Sequence, residues 1–207
     1  MDERKLTEKE SLEVITSMIA KTKERYIANA SILLMWGYLV VGVALLVWVM
    51  LAATHQAVWN WLWFAIPVVG GIATPVMSRH QDRMRVVKTY TDIVTSKMWM
   101  FMGVSAMIAM VLCAIIQVFT SANCWVTMLV YSLIAVSFAE IAQGIFIKEN
   151  SLCCGGSIGL VVGIFTLCCV AGGIPLGANW YMPLFIVAFI AMTIIPGHIL
   201  NYKSKKK

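Results

Sequence analysis

Long apolar runs alternate with short polar breaks along most of the chain, and this pattern predicts a polytopic membrane protein. A membrane-spanning helix needs about 20 apolar residues, because the hydrocarbon core is about 30 Å thick and a helix rises about 1.5 Å per residue. Six runs reach this length, and short uncharged turns join them into three helical hairpins. The runs cover residues 31–53, 58–77, 98–118, 124–147, 155–176 and 180–200.

A polar segment at residues 78–97 is the longest break between these runs. Within it, Met84, Val87, Tyr90 (or Thr91) and Val94 recur at helical spacing, which predicts an amphipathic extension of the third span. Its charged residues are Arg79, Arg83, Arg85, Lys88 and Lys97 against Asp82 and Asp92.

Residues 7–26 predict an amphipathic helix ahead of the first run. Thr7 and Glu10 have the spacing of a capping box, in which each side chain satisfies a free backbone N–H. Two interpretations stay open, a helix that lies on the membrane surface or a docking helix for a partner protein. No apolar run occurs early in this region, so no cleavable signal peptide is expected. The apolar face consists of Leu12, Ile15, Ile19 and Tyr26.

The expected fold class is therefore all-α, with one membrane domain of six spans. Residues 1–30 hold the N-terminal helix, residues 31–200 the membrane domain and residues 201–207 a basic tail. The composition agrees, because 60% of the residues are hydrophobic, 13% are charged and the mean hydropathy is +0.83. Soluble domains contain about 25% charged residues, and they cannot bury this much apolar surface.

Charge predicts the orientation of the spans, because Lys and Arg are retained on the cytoplasmic side of a membrane. All 16 Lys and Arg residues lie before the first run, in residues 78–97, at Lys148 or in the tail. The three turns within the hairpins, at residues 54–57, 119–123 and 177–179, contain no Lys or Arg. Each leads into tryptophan, whose ring favours the membrane interface. Both termini are expected in the cytoplasm. The basic segments suit anionic lipid headgroups or a protein partner rather than nucleic acid, because they cluster at membrane edges.

Glu140 is the only acidic residue inside a run, and no run contains Lys or Arg. It lies roughly 10–12 Å along the helix from Lys148, and Gln143 is one turn away. His198, at the end of the sixth run, is either a polar group at the membrane interface or a partner of Glu140 if the fourth and sixth spans touch. These three residues form a candidate intramembrane polar site. Glu140 is either a proton or cation site, or a neutral carboxyl that cross-links helices or reaches water near the inner surface.

The six cysteines do not have the spacing of a metal site. Two vicinal pairs, at 153–154 and 168–169, lack the C-x-x-C spacing that lets two sulfurs chelate one zinc ion. Cys113 and Cys124 flank one turn, where a disulfide is an alternative to the expected soft packing. Acylation of the first pair is a further alternative. No cofactor and no metal are expected.

Small residues at Gly155, Gly159 and Gly163 form G-x-x-x-G-x-x-x-G on the fifth run. Such a stripe lets another helix backbone approach closely. Packing within the monomer is the first interpretation, and a homodimer seam is the alternative. Glycine and proline also interrupt two runs, at residues 70–75 and 172–175, a pattern that can mark a transporter binding site.

Catalytic motifs are absent from the sequence: it has no phosphate-binding glycine loop, H-E-x-x-H, G-x-S-x-G or paired intramembrane aspartates. An enzyme is therefore disfavoured. The sequence favours a non-enzymatic accessory or regulatory subunit that binds a partner or anionic lipid through its cytoplasmic helices. The alternative is a small transporter or ion-coupled permease that uses Glu140.

Four segments carry a resemblance to a known family: LTEKESLEVI, WGYLV, WNWLWFAIPVVGG and IIPGHILNYK. In these segments the chain resembles a family of small uncharacterised bacterial inner-membrane proteins, and the likeness spans the whole chain. The resemblance implies a six-span architecture, a bacterial origin and a place in the cell inner membrane. It implies no site residues, because none of its motifs is a catalytic signature.

Overall fold

The protein is described from a computed structural model. The structure describes residues 7, 9–10, 12–14, 16–17, 30–82, 90–120 and 124–205. Over these residues the backbone is helical apart from short turns, and it forms no strand, so the all-α fold class is confirmed. Of the basic segment, Met84 and Val87 lie outside the described residues, whereas Tyr90 and Val94 belong to the helix of the third span.

The helices follow one another with short connections. Six helical stretches in the described part of the chain are long and apolar enough to cross a membrane, which makes the chain an integral membrane protein that crosses the bilayer several times. In chain order the elements are α1 (Ala30–Thr54), a 3-10 helix (Ala57–Phe64), α2 (Ala65–Asp82), α3 (Tyr90–Thr120), α4 (Trp125–Ile147), α5 (Asn150–Ala171), α6 (Ala178–Phe189), a π segment (Ile190–Ile194) and α7 (Ile195–Lys205).

The fifth span lies five residues earlier than its apolar run predicts, at Asn150–Ala171 rather than 155–176. Lys148 adopts a left-handed conformation with φ of 54°, which ends α4 and turns the chain into α5. At the other end, Gly173 has φ of 72°, a conformation that glycine reaches without steric cost. Residues 172–175 therefore terminate the helix, and the prediction that they interrupt a span is wrong.

The breaks in regular α-helix within the spans are not at the glycine and proline positions of residues 70–75 and 172–175. α2 is one continuous α-helix through residues 70–75, so the predicted interruption of the second span is also wrong. The irregular turns are the 3-10 helix Ala57–Phe64 and the π segment, which joins α6 to α7. Pro196 follows the π segment, and it has no N–H to give to a carbonyl in the preceding turn.

The centre of the bundle is formed by α4, α5, α6 and the π segment, with α1 packed against α6, the π segment and α7. Its best buried apolar side chains include Val47, Leu133, Phe185 and Met192, each at most 1% exposed. α2 packs on α1, and α3 packs on α4, so these two helices lie at the periphery. Large apolar side chains such as Phe101 remain exposed on them, as expected for lipid-facing surfaces.

The two ends of the bundle differ in chemistry. We call the end with the exposed Arg79, Lys97 and Lys148 the basic end. At the opposite, aromatic end, Trp61 stacks on Phe64 with ring centroids 5.7 Å apart. The aromatic end continues through edge contacts, which are Trp61 to Trp125, Phe64 to Trp125 and Trp63 to Phe185.

The N-terminal capping box is formed. The backbone N–H and the hydroxyl of Thr7 donate to the Glu10 carboxylate at 2.8 and 2.9 Å, and the Glu10 N–H donates back to Thr7 Oγ1 at 3.4 Å. These hydrogen bonds lower the pKa of Glu10, because they favour its ionised form. Residues 18–29, which include the rest of the predicted amphipathic helix, lie outside the described residues.

Candidate intramembrane polar site

Glu140 lies on a buried stripe of α4. Leu133, Ser137, Glu140 and Gly144 follow at spacings of four, three and four residues, which places them on one face of a helix. All four are buried, and Glu140 is 0% exposed. The carboxyl group therefore points into the bundle and not towards lipid.

Glycines of α5 bring its backbone close to this stripe. A Cβ added at Gly156 would lie 2.8 Å from Ile141 Cγ1, and one added at Gly159 would lie 2.6 Å from Met192 Sδ and against Ser137 Oγ. These contacts are too short for any side chain larger than a hydrogen atom. Since Ser137 and Ile141 lie on either side of Glu140 in the sequence, its layer in the bundle is that of Gly156.

The predicted glycine stripe of α5 is used inside the molecule. Gly155 lies against Pro196 and the carbonyls of Ala191 and Met192, while Gly163 lies against Ile134 and Leu133. Gly159 contacts Ser137 and Met192, as described above. These glycines are buried in contacts within one copy of the chain, which leaves this stripe no free surface for a homodimer seam.

The π segment is held between two glycine surfaces. On one side, a Cβ at Gly37 of α1 would lie 2.7 Å from Thr193 Oγ1, and on the other a Cβ at Gly155 would lie 2.8 Å from the Met192 carbonyl oxygen. Thr193 donates its hydroxyl to the Phe189 carbonyl at 2.6 Å. Short π segments are frequent at functional sites, and this one occupies the layer of Glu140.

The three residues of the predicted polar site do not share hydrogen bonds. Gln143 accepts a hydrogen bond from Trp99 Nε1 on α3 at 2.7 Å. His198 Nε2 lies 2.6 Å from the Tyr38 hydroxyl, on an exposed part of the α1–α7 surface. His198 therefore does not pair with Glu140, and the three polar side chains have different surroundings.

Both carboxyl oxygens of Glu140 are buried without a hydrogen-bond partner among the described residues. Ser137, one turn away on the same face, lies 4.0 Å from Met192 Sδ instead. An isolated buried carboxylate is very unfavourable, so an unpartnered carboxyl group in this position requires a bound proton or cation.

A second buried acidic residue lies at the basic end, where the sequence analysis assigned no site. Glu149 is 2% exposed and its Oε2 accepts a hydrogen bond from Lys203 Nζ at 2.6 Å. The ion pair joins the connection between α4 and α5 to α7. In the sequence, Glu149 is distinguished only as the acidic residue of the short connection between two apolar runs.

The basic residues proposed for headgroup or partner binding are partly described. Arg79 at the end of α2 is exposed, as are Lys97 and Lys148. Arg83, Arg85 and Lys88 lie outside the described residues.

The cysteines are separate and make no metal centre. All six are free thiols, and the described residues contain no group of three or more His, Cys, Asp or Glu that could hold a metal ion. Cys113 Sγ lies 3.2 Å from the Cys124 carbonyl oxygen, and Cys153 Sγ lies 3.8 Å from the Ile141 carbonyl oxygen.

Three features of the site escaped the sequence analysis: Ser137, Gly156 and the π segment. Pro196 was the available signal for the π segment, since its missing N–H disturbs the turn before it. No family model, curated protein or solved structure matches the chain.

Proposed function

We propose that the protein is a non-enzymatic accessory or regulatory membrane protein that acts through its basic end. Its targets there are anionic lipid headgroups and a protein partner, and its basic end faces the cytoplasm. The observation that carries this proposal is the contrast between a closely packed interior and a basic end with exposed cationic side chains.

The packed interior argues against a substrate site in the membrane. Gly156 and Gly159 bring the α5 backbone against α4, and Leu133 and Met192 are fully buried in the same region. Such glycine contacts close the space that a small molecule would need. A pathway for a bulky substrate would require the central helices to separate.

The basic end supports binding to an anionic surface. The exposed side chains of Arg79, Lys97 and Lys148 belong to the last turn of α2, the second turn of α3 and the C-cap of α4, and Lys203 is 47% exposed beside Glu149. Each Lys or Arg near an anionic membrane surface contributes about 1 kcal/mol of attraction. A membrane domain with these cations at one end would present them to the headgroups of one leaflet.

Lipid retention tests the first half of the proposal. The purified protein would be reconstituted with equal amounts of phosphatidylglycerol and phosphatidylethanolamine, and co-purifying lipid would be counted by native mass spectrometry. The triple variant Arg79→Gln, Lys97→Gln and Lys148→Gln should retain less phosphatidylglycerol. A matched variant at the aromatic end, Thr54→Gln, His55→Gln and Thr127→Gln, should retain as much as the parent protein. Equal retention by both variants would contradict the proposal.

Partner capture tests the second half. Crosslinking in cells that express the full chain, followed by purification, should yield a stable partner. Deletion of residues 1–26 should remove that partner and leave the membrane domain folded. A partner that stays bound to the truncated chain would exclude the N-terminal region as its docking site.

A second candidate function is a small ion-coupled permease, which the unpartnered carboxyl of Glu140 favours. Substrate-dependent flux in proteoliposomes that is lost in Glu140→Gln, but kept in Glu149→Gln, would support the permease and contradict the accessory role.

A further inference from the structure

The carboxyl group of Glu140 needs a neutralising ligand in the bundle as it stands. Its side chain is 0% exposed, and neither carboxyl oxygen makes a hydrogen bond with the described residues. Burial of an unpaired carboxylate is so costly that such groups are found neutral or ligated. The closed bundle therefore holds this carboxyl with a proton or a cation on it.

The surroundings favour a proton over a metal ion. A metal cation needs several oxygen ligands arranged around it, usually six or so for a hard divalent ion. The described residues near Glu140 supply no such set, since neither of its oxygens has a polar partner and no acidic cluster is present there. A single proton neutralises the carboxyl without any further ligand.

Glu140 lies in the closely packed seam between α4 and α5. Ser137 and Ile141 of α4 lie against the α5 backbone at Gly156 and Gly159, so water can reach the carboxyl only when the two helices move apart. On the other side of α5, Gly155 faces the carbonyls of Ala191 and Met192 in the turn before Pro196. A turn that lacks an N–H donor is a place where helices bend.

No other titratable side chain on the described helices around Glu140 serves as a hydrogen-bond or ion-pair partner for its carboxyl group. Cys153 of α5 lies one layer nearer the basic end, against Gly144. Cys113 of α3 and Tyr181 of α6 belong to the half of the bundle near the aromatic end, and at the basic end Glu149 is paired with Lys203. His198 of α7 lies two residues beyond Pro196, near the level of Glu140, but its ring is paired with Tyr38 on the exposed α1–α7 surface. The helices α4, α5 and α6 carry no Lys, Arg or His.

We propose that Glu140 is an intramembrane proton-binding site that exchanges its proton with the compartment at the basic end. In the closed bundle the carboxyl is neutral. When α5 separates from α4 and the π segment, water reaches the carboxyl, the O–H bond breaks with its electron pair staying on the carboxylate, and the proton passes to water. This proposal goes beyond the accessory function and does not depend on lipid or partner binding.

Infrared difference spectroscopy on the full-length protein in lipid membranes tests the proposal. The carbonyl stretch of a protonated carboxylic acid is separate from the amide bands and shifts in D₂O. The parent protein should show this band at neutral pH and lose it reversibly as the pH is raised. The band should be absent from Glu140→Gln and present in Glu149→Gln, the matched control.

Each other outcome overturns the proposal. A Glu140 band that neither titrates nor shifts in D₂O would identify a locked structural carboxyl. The absence of the band at every pH would show an ionised group. Loss of the band on adding Na⁺ in place of K⁺ at constant pH would identify a cation site. The infrared spectrum of the unsubstituted protein distinguishes these three outcomes even if Glu140→Gln does not fold.

Discussion

Two buried carboxyl groups show how differently single residues are stabilised in this protein. Glu149 at the basic end is neutralised by Lys203, whereas Glu140 in the membrane has no such partner among the described residues. The first arrangement tolerates an ionised group because a cation and water are within reach. The second excludes water, and so the chemistry of Glu140 depends on whether the helices around it stay together.

Removal of the cation from the pair at the basic end should weaken the fold. Lys203→Met takes a charged donor away from the buried Glu149 carboxylate, and we expect the free energy of unfolding to fall by about 1 kcal/mol. The loss stays modest because the Lys203 side chain is 47% exposed and screened by water. Thermal unfolding in detergent, in a double-mutant cycle with Glu149→Gln, measures it. Lys97→Met, at an exposed site, should leave the stability unchanged. If the double-mutant cycle shows no coupling energy, Lys203 and Glu149 do not stabilise the fold as an ion pair.

Adjacent glycines in α2 offer a matched pair of substitutions. A Cβ at Gly70 would overlap the ring of Trp36, which also donates from Nε1 to Thr74 at 2.9 Å, whereas a Cβ at Gly71 meets nothing within 4 Å. Gly70→Ala should destabilise the protein by about 1–3 kcal/mol through overpacking. Gly71→Ala should be neutral or stabilising by up to about 1 kcal/mol, since alanine is the better helix former. Thermal unfolding followed by tryptophan fluorescence distinguishes them, and equal effects would exclude this contact.

At the scale of single elements, helix ends and helix seams follow simple chemistry. The N-terminal helix begins with reciprocal hydrogen bonds between Thr7 and Glu10. α5 ends where Gly173 takes a left-handed conformation, and its inner face carries glycines where it meets α4. A few residues therefore specify where a helix begins, where it ends and where two helices pack closely.

The capping box should make the start of the N-terminal helix sensitive to acid. Because the folded-state pKa of Glu10 is lowered, its contribution is complete above the ordinary glutamate pKa of about 4.3 and is lost as the pH falls through the lower folded value. Amide hydrogen exchange of residues 9–17 in the full-length protein should therefore accelerate at low pH, after correction for intrinsic exchange. Thr7→Ala should exchange quickly at every pH. If the protection factors of these amides do not change as the pH falls, the capping box between Thr7 and Glu10 does not stabilise the helix.

The sequence predicted the spans well because apolar length is a strong signal, but it predicted the polar site poorly. Each of the six apolar runs corresponds to a helical span, and the fifth span begins earlier than predicted, at Asn150. Hydrogen-bond partners depend on helix rotation, and apolar spans carry little periodicity from which rotation could be deduced. Gln143 and His198 therefore turned to Trp99 and Tyr38, which no sequence spacing related to them.

The whole molecule consists of a dense centre with two peripheral helices attached to different neighbours. α2 is fixed to α1 through Trp36, and α3 is fixed to α4 through Trp99 and the bond from Tyr131 to Ser105 at 2.6 Å. α2 and α3, which follow one another among the described helices, are therefore held by different helices of the bundle.

Orientation in the membrane is a prediction for the molecule as a whole. If the basic end faces the cytoplasm, Lys148→Cys should react with a membrane-impermeant maleimide only after cells are lysed. Asn179→Cys, in the exposed start of α6 at the aromatic end, should react in intact spheroplasts. Both variants would be made in a chain whose native cysteines are replaced by alanine or serine. The reverse labelling pattern would invert the proposed topology.

The π segment also fixes the angular register of the C-terminal helix. A π turn holds about one residue more than an α turn, so it acts as a one-residue insertion within the last span. Removal of one residue from Ile190–Ile194 would restore a regular helix and rotate α7 by about 100°. His198 would then leave Tyr38, and Lys203 would leave Glu149. One extra residue deep in the membrane thereby determines which side chains meet at its surface.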